Sequence, residues 1–402
     1  MTISSARETV PAHNSHEALI AACNSADQEL HSIAGAFDFL LAISPVNTNE
    51  AMVAFMKDHA EKPPEFAYRP LGFDPEQCRH RLQKIDFGRL HEPLIEGLLL
   101  EKRRELDTQL HMLECRGEKG FKDHSEGLYG SVSDELLGAA KQILAVARPH
   151  RGKQQSVGAV QIKQRAKVLI DHYRAQDSGF DPVIEIRGDV AGMLVSYPTL
   201  MIDDSAKISE RRVDPLLSHE VSVHLLTGFN GAQQGLSIFS TGLAGYEEIQ
   251  EGLGVFAEWA VGGLTVPRTR LLAGRVVAVH AMLAGADFLE CYRLLHHDCG
   301  IRPRRAFGIT ARVYRSGGLA KDAIYLRGFF RVMEWLADGG DMEPFWRAKI
   351  AMVHVPVMEQ LFKRGLLNEA KLTPEFMQRE STAKRIARYR QSPSIAQLFD
   401  TE

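Results

Sequence analysis

Cysteine is scarce and scattered in this chain. There are five, Cys23, Cys78, Cys115, Cys291 and Cys299, and no CxxC pair among them. An odd count at wide spacing argues against a disulfide framework and a cysteine-built zinc knuckle, and points to a reducing, cytoplasmic setting. No apolar run approaches the roughly 18 residues of a membrane span, so none is expected. The first residues, MTISSARETVPAHNSHE, have no apolar stretch of the kind that drives secretion. Residues 1–15 read instead as a loosely attached tail. Charge of one sign is also missing. Forty-eight Lys and Arg against 51 Asp and Glu leave a net charge of −3. That gives no global attraction to nucleic acid or to an acidic membrane. No internal repeat and no low-complexity segment interrupts the chain.

Apolar residues make up 45% and charged ones 25% of the 402 positions, which is the balance of an ordinary globular protein with room for a sizeable core. The expected class is α+β and mainly helical. Apolar residues at three- and four-residue steps predict helices over 16–43, 49–60, 86–116 and 134–147. The stretch 117–131, with its glycines and charges, reads as loop. Beyond residue 150 a helix is expected from Ser156 to about Ala175. VIEIRGD (183–189) alternates as a strand does, and GMLVSYPTLMIDDS (192–205) reads as two short strands around Pro198. Helices follow over 212–228, 245–262, 269–284, 286–297, 325–338, 343–364 and 383–390. Residues from 305 up to the helix at 325 read as a basic, glycine-containing loop. A soft division near residue 150 separates a helical region, 16–150, from the remainder, 151–402.

The segment LLSHEVSVHLL (216–226) carries His219, Glu220 and His224. Zinc peptidases usually space such residues as H-E-x-x-H on one helix face. Here three residues separate the Glu from the second His. Histidines four apart diverge by about 40° around a helix, and histidines five apart by about 140°. The pair can share a metal only if a π-bulge closes that angle. Otherwise this is a buried helix with one histidine facing in and one out. The motif alone leaves both readings open.

Downstream, GLAGYEEIQEGLGVFAEWAVGG (242–263) places Glu247, Glu251 and Glu258 on one helical face, with Glu251 central. For Glu247 and Glu258 the plain expectation is a solvated face. Gly252 and Gly254 each cost a helix about 1 kcal/mol relative to alanine. They make sense where another helix or a metal site packs closely.

HEVSVH (219–224), NGAQQGL (230–236) and GYEEIQEGLG (245–254) together resemble the bacterial QEGLA-motif family, which is related to the eukaryotic microtubule-associated tyrosine carboxypeptidases. ISPVNTNEAMVAF (43–55), PPEFAYRPL (63–71), SEGLYG (125–130) and KDAIYLRG (321–328) extend the resemblance over most of the chain. The family's QEGLA reads QEGLG here, with Gly254 for the alanine. Both residues are small, so little change in packing is expected. The resemblance implies a zincin-like metallopeptidase core in 151–402. It implies His219, His224 and Glu251 as ligands of one Zn2+ per chain, and Glu220 as general base. Two neutral imidazoles and one carboxylate leave the metal with net positive charge, which acidifies a water on it. The implied substrate is a peptide or protein C-terminus, and the implied reaction is release of the terminal residue. The family's bacterial label also mentions modulation of flavohaemoglobin expression.

A carboxypeptidase must hold a free carboxylate, and planar guanidinium groups do this bidentately. ITARVYRSGG (309–318) offers Arg315, then Arg312. KDAIYLRG offers Lys321, and Tyr325 as a hydrogen-bond donor to an oxyanion. Asn230 and Gln234 are further candidates for the cleft, although Asn-Gly is also a plain turn signal. One of the two short strands before the motif could pair with a peptide backbone or simply belong to the core. HHDC (296–299) resembles metal chemistry, but adjacent histidines diverge by about 100° on a helix. RPHRGK (148–153) and RPRR (302–305) read as solvated surface. Two other functions fit the same residues: a zinc amidase acting on a small peptide-like metabolite, and a regulatory protein using the fold for binding. An intact Glu220 argues against the second, since a pure binder needs no base beside a metal.

Overall fold

The computed structural model describes residues 12–87, 92–146, 155–190 and 192–398, with side-chain burial given from Cys23. The tail expected over 1–15 lies mostly outside them. So do the RPHRGK segment and the division expected near residue 150. The fold is α+β and mainly helical, as the periodicity predicts. The five cysteines are free thiols. Among the described residues no helix is long and apolar enough to cross a membrane.

The N-terminal helices are Ala12–Gly35, Thr48–Lys57, Pro75–Gln83, Pro93–Glu114, Lys119–Tyr129 and Asp134–Ala145, and those starting at Pro75, Pro93 and Asp134 carry side-chain caps. Asp74 accepts from the amides of Glu76 and Gln77, and Pro75 follows it at the first helical position. The hydroxyl of Ser133 accepts from the Leu136 amide. Lys119–Tyr129 corrects the loop expected over 117–131. Its Phe121, Ser125 and Tyr129 recur every four residues and bury one face, and Gly130, at φ 76°, ends it. The expected 16–43 helix breaks after Gly35, and Pro75–Gln83 was not anticipated.

Five strands are described: β1 Ser156–Gly158, β2 Val183–Arg187, β3 Met193–Ser196, β4 Thr199–Asp203 and β5 Lys207–Ser209. They form a three-stranded sheet in the order β2-β4-β3 and an antiparallel β1–β5 pair. β4 is central, parallel to β2 and antiparallel to β3, so β2 and β3 are the edge strands. The helix expected from Ser156 starts only at Ala159, because the first three residues pair with β5.

Two apolar cores result. The larger draws on residues from Cys23 to Leu398, including the N-terminal helices and the Glu247–Ala260, Val266–Leu283 and Ile324–Ala337 helices. The smaller lies between the three-stranded sheet and the Ala159–Arg174 helix, around Leu200, Ile202, Ile162, Ile170 and Tyr173. The segment carrying His219 and His224 touches both. Val221 and Leu225 belong to the smaller core, and Val223 to the larger.

Two further expectations are corrected in the C-terminal half. Pro303–Tyr314 is a helix, not a basic loop. Pro303 starts it, Ala306, Phe307, Ile309, Thr310 and Val313 bury its inner face, and the space beside Gly308 is open. The stretch 343–364 is not continuous. Glu343–Arg347 ends where Ala348 turns fully extended, and Val355–Lys363 begins anew.

The Glu247–Ala260 and Ile324–Ala337 helices cross at two glycines. A Cβ on Gly252 would lie 2.3 Å from the backbone carbon of Gly328, and one on Gly328 would lie 1.9 Å from the Glu248 carbonyl oxygen. Backbone cannot yield as a flexible side chain does. Gly328→Ala is therefore expected to lower stability by about 2–3 kcal/mol, read from the denaturant midpoint. An unchanged midpoint would show that the two helices can separate freely.

Candidate metal centre

His219 ends the α-helix Val213–His219, and the chain continues as a π-helix over Glu220–Leu225 before α-helix resumes at Leu226–Ala232. The wider turn lies where the spacing of the two histidines requires it. Their rings come within 4.8 Å, centroid to centroid. Glu251, on the Glu247–Ala260 helix, faces them. Its Oε2 is 3.7 Å from His219 Nε2 and 3.9 Å from His224 Nε2. One ligand atom from each of the three residues falls within 4.8 Å of the others. Among the described residues, this is the His/Cys/Asp/Glu group that could hold a metal ion. HHDC does not form one: His296 Nδ1 is engaged by the Ile301 carbonyl at 2.9 Å.

The donor set fits a tetrahedral zinc. Ligand atoms around such an ion sit about 3.3–3.5 Å apart, a few tenths of an ångström closer than the two distances above. Both imidazoles use Nδ1 elsewhere, which leaves Nε2 as the donor. His219 Nδ1 is 3.1 Å from Glu258 Oε1. His224 Nδ1 is 3.3 Å from Gln250 Oε1, which also accepts from the Thr227 hydroxyl at 3.0 Å. Such partners fix the ring orientation and tautomer of a ligating histidine.

Glu258 corrects the expectation of a solvated face. It is fully buried, and two arginines neutralise it. Arg268 donates to both of its oxygens, at 3.1 and 2.9 Å, and Arg212 Nη2 lies 2.8 Å away. Burial would raise its carboxyl pKa, but Arg268 and His219 hold it well below the usual range. Burial pulls the His219 imidazole down, and the Glu251 and Glu258 carboxylates more than reverse this, to about 10. His224 goes the other way, to about 3, through burial and the neighbouring His219 charge. Glu220 is buried beside this pair. Burial lifts its carboxyl to about 7, with the His219 charge opposing.

Gly254 lies against the ligand ring itself. A Cβ there would be 2.4 Å from His219 Cε1 and Nε2. The expectation that alanine would fit equally is therefore corrected for this chain, since the imidazole occupies the space. Gly252 accommodates the neighbouring helix. The two explanations offered for these glycines apply one to each.

The remaining sequence candidates divide. Lys321 is buried, with Nζ 2.8 Å from Glu247 and 3.5 Å from Glu251. It holds Glu251 ionised rather than facing solvent. Tyr325 is half-buried beside it, with its ring centroid 5.9 Å from Lys321 Nζ and 4.9 Å from Arg275 Cζ. Burial pushes its phenol up to about 12, so its hydroxyl keeps its proton. Arg312 spends Nε and Nη2 on Asp322, at 2.7 and 2.8 Å. Arg315 is buried and donates to the Ser44 hydroxyl at 2.9 Å. Asn230 and Gln234 lie at a helix end, not in a hairpin turn. Asn230 binds the backbone of Trp346 and Leu372, and Gln234 accepts from the Asn368 amide. These bonds tie down the C-terminal segment, and none of the partners belongs to the His–Glu group. Sequence reasoning missed Gln250, Glu258, Arg212, Arg268, Arg275 and Asp322. The one available signal was that Glu258 lies two turns from Glu251 on the same face.

One buried and one half-buried histidine with a carboxylate, held by Glu258, Gln250 and Lys321, define a candidate metal centre. The model of a family described as microtubule-associated tyrosine carboxypeptidase matches residues 53–393, which include every residue of that centre. The chain belongs to this family. No curated protein matches it in sequence. Among solved structures, a putative lipoprotein from Colwellia psychrerythraea is similar over 85% of this chain and 69% of its own, at 10% identity and a TM-score of 0.38. A likeness that slight carries no weight for the site.

Glu258→Gln keeps the shape and removes the charge behind His219. Metal affinity is expected to fall about 10- to 100-fold in competition with a chromophoric chelator. The melting temperature should fall as well, because Arg212 and Arg268 lose their counter-charge. Unchanged affinity would mean that Glu258 serves the fold alone.

Proposed function

We propose that this chain is a zinc-dependent metallopeptidase that releases the C-terminal residue of a peptide or protein. The observation that carries the reading is the group His219, His224 and Glu251, with both Nε2 atoms left free by Nδ1 partners and Glu220 buried alongside. Two nitrogens and one oxygen suit zinc, and three protein ligands leave a fourth position open. The bulged helix bearing the pair belongs to a zincin-like core in this reading. The family description supports a C-terminal cut and a preference for tyrosine. Free thiols throughout agree with a reducing cytoplasm.

When bound, zinc supplies Lewis acidity that polarises the scissile carbonyl and acidifies a water. The chain's own residues do the rest. Glu220 takes the proton of the attacking water and delivers it to the leaving amine. Burial raises the Glu220 carboxyl above the usual carboxylate range, which favours its accepting the water's proton. Tyr325, still protonated, donates to the developing oxyanion. Glu258 and Gln250 hold the two imidazoles in register, and Lys321 holds Glu251 ionised.

Elemental analysis of the wild type is expected to give about one zinc per chain, lost or much weakened in Glu251→Ala. No zinc after supplementation would sink the reading. Glu220→Gln is expected to keep its zinc and lose turnover of peptides ending in tyrosine. Full activity in that variant would remove Glu220 from the mechanism.

A further inference from the structure

Two guanidinium groups meet one carboxylate beside the candidate centre, and a third lies close enough to act on its charge. Asp322, buried, takes both bonds from Arg312 and lies 3.7 Å from Arg275 Nε. Arg315, close by on the same strand of chain as Arg312, is buried with its Nε unpartnered. One negative charge cannot balance three positive ones. Surplus cations away from bulk water are costly unless something answers them.

The three are not equally available. Arg312 has committed its fork to Asp322, and Arg315 is held by the Ser44 hydroxyl. Arg275 makes no hydrogen bond with any described group, and its Nε is buried without a partner. Its side chain is nonetheless 12% exposed. It faces the Tyr325 ring at 4.9 Å. The same ring lies 5.9 Å from Lys321, whose ammonium is 3.5 Å from Glu251. Arg275, Tyr325, Lys321 and Glu251 thus form a continuous line into the metal centre. Arg268 and Arg275 are seven residues apart on the Val266–Leu283 helix and share a face. The first supports Glu258 behind His219, and the second has its fork unspent.

We propose that Arg275 receives the free α-carboxylate of the substrate, which makes it the residue that restricts the enzyme to unblocked C-termini. This rests on the metallopeptidase reading above. It moves the role expected of Arg315 and Arg312 to an arginine on another helix. Those two, with Asp322, set the charge and position of the fork.

The test compares N-acetylated peptides ending in tyrosine, as free acid and as C-terminal amide, on zinc-loaded wild type, Arg275→Gln and Arg275→Lys. Wild type is expected to prefer the free acid. Arg275→Gln should raise KM for the free acid about 10- to 100-fold, with a smaller change in kcat. It should leave the amide and the zinc content unaltered. Arg275→Lys should recover part of the loss. The same comparison is made by fluorescence anisotropy with labelled peptides on Glu220→Gln, which reads binding without turnover. An equal effect of Arg275→Gln on acid and amide, or no effect on either, overturns the proposal. Zinc-loaded wild type that does not distinguish acid from amide also overturns it, and leaves the hydrolase reading standing. Wild type that takes up no zinc overturns the metallopeptidase reading itself.

Discussion

His219 and Glu258 meet where neither is tolerable alone. A buried carboxylate needs counter-charge, and a buried imidazole that must present one particular nitrogen needs its other nitrogen held. The pair meets both needs only because Arg212 and Arg268 close the network from two further elements. Four parts of the fold are fixed by this one contact: the turn before the motif, the motif helix, the Glu247–Ala260 helix and the Val266–Leu283 helix. The π-turn after His219 then brings His224 round to the same side, and Glu251 completes the set. Geometry at the candidate centre is thus set by charges that would not touch a substrate.

The five residues Gln250 to Gly254 show how much function a short segment can hold. Gln250 holds the His224 ring, and Glu251 faces both histidines. Gly252 admits the Ile324–Ala337 helix, Leu253 fills the core, and Gly254 leaves room for the His219 imidazole. Side chains at successive positions point about 100° apart. Five consecutive residues therefore touch the site, a neighbouring helix and the core in turn.

Periodicity made most of the helices legible, because a buried stripe leaves its mark on the sequence whatever it packs against. The spacing of His219 and His224 left a shared metal and a plain buried helix both open, and the family resemblance named Glu251 as the third member of the group. Periodicity failed at 117–131 and 305–314, where glycines and charges on the outer face masked an inner face of a few buried residues. It failed again at Glu258 and Arg275. A helical wheel says which residues share a face, but not what that face meets. Whether a charged residue faces water or a buried partner depends on elements distant in the chain: Arg212 for Glu258, and Asp322 for Arg275. Asn230 illustrates the converse. Its polar side chain, next to a glycine, suggested a turn or a cleft, and its whole amide is spent on backbone from more than a hundred residues away.

The motif helix lies at the seam between the two cores, with Val221 and Leu225 in one and Val223 in the other. Anything that binds the folded centre and not the unfolded chain adds its binding free energy to folding, by RT ln(1 + [L]/Kd). At this seam the gain is shared between the core built on the sheet and the larger helical one. An ion held by the two histidines would act as a rivet between the halves, and the protein's resistance to heat and proteolysis would track the metal supply around it.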